Sequence, residues 1–264
     1  MFLFRARKRF GQHFLDKSAI INKMVQAINP KAADNILEIG PGLGALTQQL
    51  LPYVCQLTVL ELDRDLIPLL KERCASLGEL IVYQGDALTF DFLSLTDGVM
   101  PWRIVGNLPY NISTPLLFHL LDQASGITDM HFMLQKEVVQ RIVAQIGDKY
   151  YGRLSVMVQY YCQVKKLFTV KAGAFRPPPK VDSAVIRLIP YKVPPCRADD
   201  VALFAKIVRV AFSHRRKMLC NSLGTLVSSK QLESLCIDPR KRPEELSVMN
   251  YVTLSNLLLK NQHS

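Results

Sequence analysis

The chain has 264 residues, is 49% hydrophobic and carries a formal net charge of +11, enough length for one large domain plus a small one. No apolar run reaches the ~18 residues that a membrane-spanning helix needs, and the opening Met1-Phe2-Leu3-Phe4 precedes its arginines, the reverse of a secretory leader. The charge is lopsided: residues 1–23 carry six Lys/Arg against one acid, residues 191–264 carry twelve against six, and the stretch between them balances. Basic ends around a neutral centre fit a polyanion running across the surface, most simply nucleic acid, better than a small acidic substrate. The six cysteines (55, 74, 162, 196, 220 and 236) lie 16 or more residues apart without a C-x-x-C pair. That spacing argues against a zinc site and a disulfide framework, and predicts buried free thiols in a reducing cytoplasm.

In chain order, Asn35–Gly40 reads as a strand that turns at glycine into an amphipathic helix over Leu43–Leu51. Leu57–Leu62 is a second strand and Arg64–Ala75 a second helix; Leu80–Gln84 is a third strand, closed by Gly85-Asp86. Arg103–Gly106 is a short buried fourth strand, followed by a helix over Ser113–Leu121 with Ser113 as its N-cap and Pro115 in its first turn. Met130–Leu134 and Lys136–Ile146 give a fifth strand and its helix. This alternation predicts an α/β fold with a mostly parallel sheet covered on both faces. Leu167–Val170 and Ala184–Ile189 are later strands close enough to pair as an antiparallel edge, and Pro177-Pro178-Pro179 between them reads as a rigid surface loop. Past Pro194-Pro195 the pattern turns helical over Val201–Phe212, Lys217–Leu226, Lys230–Leu235 and Val252–Leu259. The expected organisation is an arm plus catalytic domain at 1–192 and a small basic all-α domain at 193–264.

Four strand ends carry candidate chemistry. Glu38-x-Gly40-Pro41-Gly42-Leu43-Gly44 places glycines where backbone must approach a ligand; the spacing departs from G-x-G-x-x-G, and no phosphate-binding G-x-x-x-x-G-K-[ST] is present. Glu61 ends the second strand, where a carboxylate can accept from both ribose hydroxyls of an adenosine cofactor, and Asp86 ends the third, where it can accept from an adenine amino group. Asn107-Leu108-Pro109-Tyr110 follows the fourth. There an amide oxygen and a backbone carbonyl, from Leu108 or Pro109, can accept both hydrogens of an exocyclic amine while the Tyr110 ring stacks on its base. That is the requirement for methylating adenine N6 or cytosine N4.

This ordered set resembles the class I S-adenosylmethionine-dependent methyltransferases, which implies a Rossmann-like, mostly parallel seven-stranded sheet and S-adenosyl-L-methionine as cofactor. Lys8–Leu15, Glu38–Thr47, Glu61-Leu62-Asp63, Gly85-Asp86-Ala87, Asn107–Thr114 and Phe175-x-Pro177-x-Pro179-x-Val181-x-Ser183-Ala184 are together similar to the ribosomal RNA adenine dimethyltransferase family, in its bacterial small-subunit branch. The resemblance runs from about residue 5 to the C-terminus and takes in Arg215-Arg216-Lys217. It implies dimethylation of two adjacent adenosines near the 3′ end of 16S rRNA, within a pre-30S ribosomal particle. It also implies cofactor contacts from His13, Leu15, Gly40, Gly42, Glu61, Asp86 and Asn107, base stacking by Tyr110, Phe175 and Phe14, and RNA-backbone contacts from Arg7, Lys8, Arg9, Arg215, Arg216 and Lys217. His13 stands where many members have asparagine; a neutral imidazole can still hydrogen-bond the methionyl end of the cofactor. No metal is expected, no membrane partner, and nothing in the sequence demands more than a monomer.

Three rivals remain. A macrolide-resistance methyltransferase acting on 23S rRNA shares the motif order, and separate assays on the two ribosomal subunits distinguish it. A DNA adenine methyltransferase would more typically carry a D/N-P-P-Y motif and a target-recognition domain. A non-catalytic ribosome-assembly factor would show degraded positions at Gly40–Gly44, Glu61 or Asn107, and all are intact.

Overall fold

The computed structural model describes residues 13–95 and 100–262. The chain divides into two compact units, one holding the residues up to Val139 together with Val164–Pro190, the other Gln140–Gln163 together with Tyr191 onward.

The first unit begins with a two-residue strand, β1 (Phe14–Leu15), and a helix, α1 (Ser18–Ile28). The chain then alternates through β2 (Ile36–Ile39), α2 (Thr47–Leu50), β3 (Gln56–Glu61), α3 (Ile67–Cys74), β4 (Glu79–Gln84), β5 (Trp102–Asn107), α4 (Ser113–Asp122) and β6 (Ile127–Gln135). Helices α5 (Lys136–Val143) and α6 (Arg153–Tyr161) lead to β7 (Cys162–Val170), the short β8 (Phe175–Arg176) and β9 (Ser183–Pro190). Seven strands form one sheet in the order β4-β3-β2-β5-β6-β9-β7, and β1 pairs with β8 in a separate two-stranded sheet. The β4-β3-β2-β5-β6 run is parallel and β9 runs antiparallel to β6.

The two later strands do lie side by side at one edge, but β9, the later of them, is inserted between β6 and β7. Every residue of β2 and all but the first of β3 are buried, as expected when helices cover both faces of a parallel sheet. The chain runs to opposite sides of β2 when it goes to β3 and to β5, so the β2/β5 boundary is the switch point of strand order, where α/β sheets open a crevice at their C-terminal ends. At that boundary a Cβ on Gly106 would lie 2.6 Å from the Ile39 carbonyl oxygen, so only glycine lets the two strands close. At the opposite, N-terminal ends, Arg103 of β5 ties β6 to the α1–β2 connection: its guanidinium pairs with Asp129 at 3.0 Å and with Asp34 at 2.6 Å and donates to the Ile28 carbonyl at 2.6 Å. The core packs α1 residues Met24, Val25 and Ile28 against Ile36, Leu57, Val59 and Val105 of the sheet.

Several boundaries differ from the sequence reading, each for a local reason. Helix α2, expected from Leu43, is delayed to Thr47 because Pro41–Leu46 is spent in turns, Gly44 N–H bonding the Pro41 carbonyl at 2.9 Å. Helix α3 begins at Ile67 with Pro68 in its first turn, and α5 is three residues shorter than expected. Ser113 is not the cap of α4 but its first helical residue, and its hydroxyl donates to the Tyr110 carbonyl at 3.1 Å. Strand β5 continues through Asn107, which places that side chain on the rim itself. Of the six cysteines only Cys74 and Cys162 are buried, while Cys55 and Cys236 are exposed; all six are free thiols. Burial pushes the Cys162 thiol up to about 12.

The second unit contains α6, α7 (Val201–Ser213), α8 (Leu219–Ser222), α9 (Ser229–Ser234) and α10 (Val248–Gln262). Asp200 caps α7 by accepting from Leu203 N–H at 3.0 Å, and Phe204, Ile207 and Val208 on its inner face are fully buried. The buried tyrosines satisfy their hydroxyls, Tyr151 donating to the Leu246 carbonyl at 3.0 Å and Tyr251 to that of Pro243 at 2.8 Å. The expected helix over Lys217–Leu226 shrinks to the single turn of α8. Among the described residues no helix is long and apolar enough to cross a membrane, and no group of three or more His, Cys, Asp and Glu could hold a metal ion.

Candidate active site

Above the β2/β5 boundary lies a cavity of about 880 Å³ whose lining comes wholly from the first unit. Its floor is the turn after β2. Gly40 has φ +67°, and a Cβ there would meet no protein atom within 4 Å, so the bare backbone borders open space at ligand distance. Glu61, at the end of β3, is 6% exposed. One of its carboxylate oxygens accepts from Gly42 N–H at 3.0 Å and the other from Asp63 N–H at 2.8 Å. Each oxygen keeps a lone pair for a further donor. Burial raises the Glu61 pKa, while those backbone hydrogen bonds pull it back. Asp86, past the end of β4, is exposed at the rim with one oxygen accepting from Leu88 N–H at 2.9 Å.

A further acid joins these, one that the strand reading passes over. Glu38 in β2 is 2% exposed, lines the same cavity and accepts the Thr47 hydroxyl at 2.7 Å. Burial, with the nearby Glu61 charge adding to it, pushes its pKa from 4.5 to about 8 despite the Thr47 hydrogen bond. The signal is present in Ile36-Leu37-Glu38-Ile39, an acid inside an apolar strand, the same reasoning that singles out Glu61.

The other wall is built on the end of β5. Asn107 Nδ2 donates to the His13 carbonyl at 2.9 Å. Its side-chain oxygen is therefore the end left for a donor, and among the described residues it has none. Leu108 is buried with its N–H on the Met133 carbonyl at 3.2 Å, and the Pro109 carbonyl accepts from Ile112 N–H at 3.2 Å. Tyr110 shares a 2.7 Å hydrogen bond with the Ser183 hydroxyl. Its ring stacks on the His13 imidazole, 5.7 Å between centroids and 30° between planes. Burial raises the Tyr110 pKa, with the Ser183 hydrogen bond opposing. His13 Nδ1 lies 2.7 Å from the Pro177 carbonyl; a carbonyl only accepts, so that nitrogen carries the proton.

The cavity thus brings together His13, Phe14, Leu15, Gly40, Gly42, Glu61, Asp86, Asn107, Leu108, Pro109 and Tyr110. Two aromatic residues are placed differently from the stacking reading. Phe14 lines the cavity on the glycine-loop side, where a Cβ on Gly42 would come within 3.1 Å of its ring. Phe175 is 2% exposed and belongs to the core cluster with Leu15 and Ala174, while its neighbours Arg176 and Pro177 line the cavity. Their two-stranded sheet, with a salt bridge from Arg176 to Asp16, holds the arm against the loop that carries the prolines. Arg7, Lys8 and Arg9 lie outside the described residues. In the helical unit Arg216 and Lys217 are exposed, whereas Arg215 donates to the Asp148 carbonyl at 3.2 Å and sits 3.7 Å from Glu244.

A seven-stranded sheet with this switch point, a glycine turn, and acids on the two following strand ends define a class I methyltransferase. S-Adenosylmethionine is its methyl donor, and the open space beside Gly40 and the spare lone pairs of Glu61 fit that group. The profile of the ribosomal RNA adenine dimethylase family matches residues 3–260. A protein of Nitrosococcus oceani named ribosomal RNA small subunit methyltransferase A is 56% identical over 98% of each chain. Its namesake in Pseudomonas aeruginosa is 53% identical over 96% of this chain and 95% of its own. Among solved structures, a dimethyladenosine transferase of Plasmodium falciparum superposes with a TM-score of 0.80 at 30% identity, covering 95% of this chain and 98% of that one. The 23S rRNA methyltransferase ErmE superposes at 0.72, covering 93% and 99%, but at 24% identity it shares only the fold. The chain belongs to the ribosomal RNA adenine dimethylase family.

Proposed function

We propose that the chain transfers methyl groups from S-adenosylmethionine to N6 of two adjacent adenosines in the 3′-terminal hairpin loop of 16S rRNA, giving N6,N6-dimethyladenosines. It does so as a monomer in the cytoplasm, on a pre-30S particle. The observation that carries the chemistry is the anchored amide of Asn107, whose oxygen is left to accept from the target amine. The choice of subunit rests on the relatives named for the small subunit at 52–56% identity; the 23S enzyme is too distant to compete. Intact Gly40, Glu61 and Asn107 disfavour a role in assembly without turnover.

The cofactor, when bound, supplies an electrophilic methyl group on a sulfonium. Glu61 would accept from its ribose hydroxyls and Asp86 from its adenine amino group, and Gly40 and Gly42 would let it approach the backbone. His13 and Leu15 would hold its methionyl end. On the substrate side, Asn107 Oδ1 accepts one N6 hydrogen. The second hydrogen goes to the Leu108 carbonyl or to that of Pro109, which keeps a lone pair beside its bond from Ile112 N–H. Holding both hydrogens draws N6 toward tetrahedral geometry and aims its lone pair along the line of displacement. Held this way, N6 is the nucleophile that the bound cofactor's methyl group would meet, and the proton it then carries in excess would leave to water. Tyr110 stacks on the target base, which must be splayed from its neighbours to reach the cavity. Arg216 and Lys217 of the helical unit contact the RNA backbone, with Arg7, Lys8 and Arg9 of the arm.

Replacing Asn107 by alanine should abolish methyl transfer to undermethylated small-subunit particles while cofactor binding, measured by calorimetry, survives. Near-normal turnover, or transfer to large subunits only, refutes the assignment.

A further inference from the structure

Ser183 is the first residue of β9, fully buried, and in register with Gln135 of β6. It therefore stands on the rigid sheet, not on the proline loop before it. Ala184, Val185 and Ile186 follow it into the core, so a hydroxyl at this position is out of keeping with its surroundings unless it has a partner. The partner is the Tyr110 phenol at 2.7 Å. A buried polar group without that bond would carry an uncompensated desolvation cost. Tyr110 is consequently held at its hydroxyl by the sheet and on one face by the His13 ring, and it lines the cavity.

We propose that Ser183 is a positioning residue that fixes the angle of the Tyr110 ring and thereby governs the second of the two methyl transfers. The proposal rests on the reading of this cavity as an N6-dimethylation site. An unmethylated adenine presents two N6 hydrogens, and two acceptors, Asn107 Oδ1 and the Leu108 or Pro109 carbonyl, orient it. After the first transfer one hydrogen remains, so only one of those acceptors can still hold the amine. The orientation of the monomethylated base then depends more heavily on stacking, and stacking depends on a ring that does not swing. Ser183 acts on the step at which the amine is held most weakly.

The test uses the full chain with both ribosomal subunits present, and reads the first and second transfers separately by nucleoside mass spectrometry. Ser183→Ala and Tyr110→Phe remove the same hydrogen bond from either side; the second deletes a single oxygen and keeps the ring, so it serves even if the alanine variant fails to fold. Each should slow the second transfer about fivefold more than the first, the factor one hydrogen bond is worth, so that monomethyladenosine accumulates. The double variant should be no worse than either single one, because the bond can be removed only once. A mono- to dimethyladenosine ratio equal to wild type at matched conversion overturns the proposal. So does equal slowing of both transfers, or multiplication of the effects in the double variant. Methylation found on the large subunit would instead refute the choice of substrate, while the ratio measured there would still report on Ser183.

Discussion

Substituting Glu38→Gln should flatten the dependence of the cofactor-free protein's stability on pH. In the unfolded chain this carboxyl ionises near 4.5, whereas in the fold burial holds its proton until about 8. Between those values the native state binds a proton that the unfolded state has released, so stability falls as pH rises. Its contribution is complete below the unfolded value and lost once pH passes the native one. At about 1.4 kcal/mol for each pH unit of that displacement, the native protein becomes up to about 5 kcal/mol less stable across the range. Glutamine cannot ionise but can still accept the Thr47 hydroxyl, so the variant keeps the local hydrogen bond and loses the slope. Glu61, also raised by burial, has the same sign and leaves a smaller residual slope in the variant. Urea unfolding of both proteins from about pH 5 to about pH 9 gives the comparison directly. The stability difference should grow in the variant's favour toward alkaline pH. Parallel curves would mean that Glu38 is already ionised in the native state and that its burial does not control it.

The charged side chains away from the cavity give two further expectations. Arg103→Ala should cost about 3–5 kcal/mol in denaturant unfolding, because it strands the Asp34 and Asp129 carboxylates; lysine should recover only part of this, having no planar fork to reach both acids. A cost below about 1 kcal/mol would show that the network is worth no more than a surface pair. Replacing Arg216 and Lys217 together by alanine should weaken RNA binding and lower its salt-dependence slope by about one for each phosphate no longer neutralised, and an unchanged slope would mean that they face solvent.

The cofactor half of the site is legible in the sequence because parallel sheets put ligand chemistry at successive strand ends, so Gly40, Glu61, Asp86 and Asn107 can be found from strand positions alone. The clasp around the substrate half is not. Phe14 and Arg176 meet in strands of two residues, too short for any alternation to register. Nothing local ties His13 to Asn107, 94 positions away, or Tyr110 to Ser183, 73 away. The family resemblance implies a stacking role for Phe175, and its burial in the core leaves no periodic mark that would say otherwise. Helix α6 escapes because six of its nine residues are buried, leaving little polar face to define an amphipathic pattern. The glutamate of β2 is hidden for a different reason, since it is absorbed into the glycine motif beside it.

The place of β9 between β6 and β7 has a consequence for how the protein is made. Ribosomes synthesise β7 before β9, so β7 emerges with no sheet neighbour and the open edge of β6 waits for a strand not yet translated. Until Ser183 and the residues after it are in place, Tyr110 has nothing at its hydroxyl and Lys136 N–H lacks the Asp182 carbonyl it binds at 3.0 Å. Pairings so distant in sequence form late, and an open strand edge invites pairing with other chains meanwhile. The hydroxyl anchor of Tyr110 is therefore the last part of the site to be completed, because it waits for a strand that follows β7 in the chain.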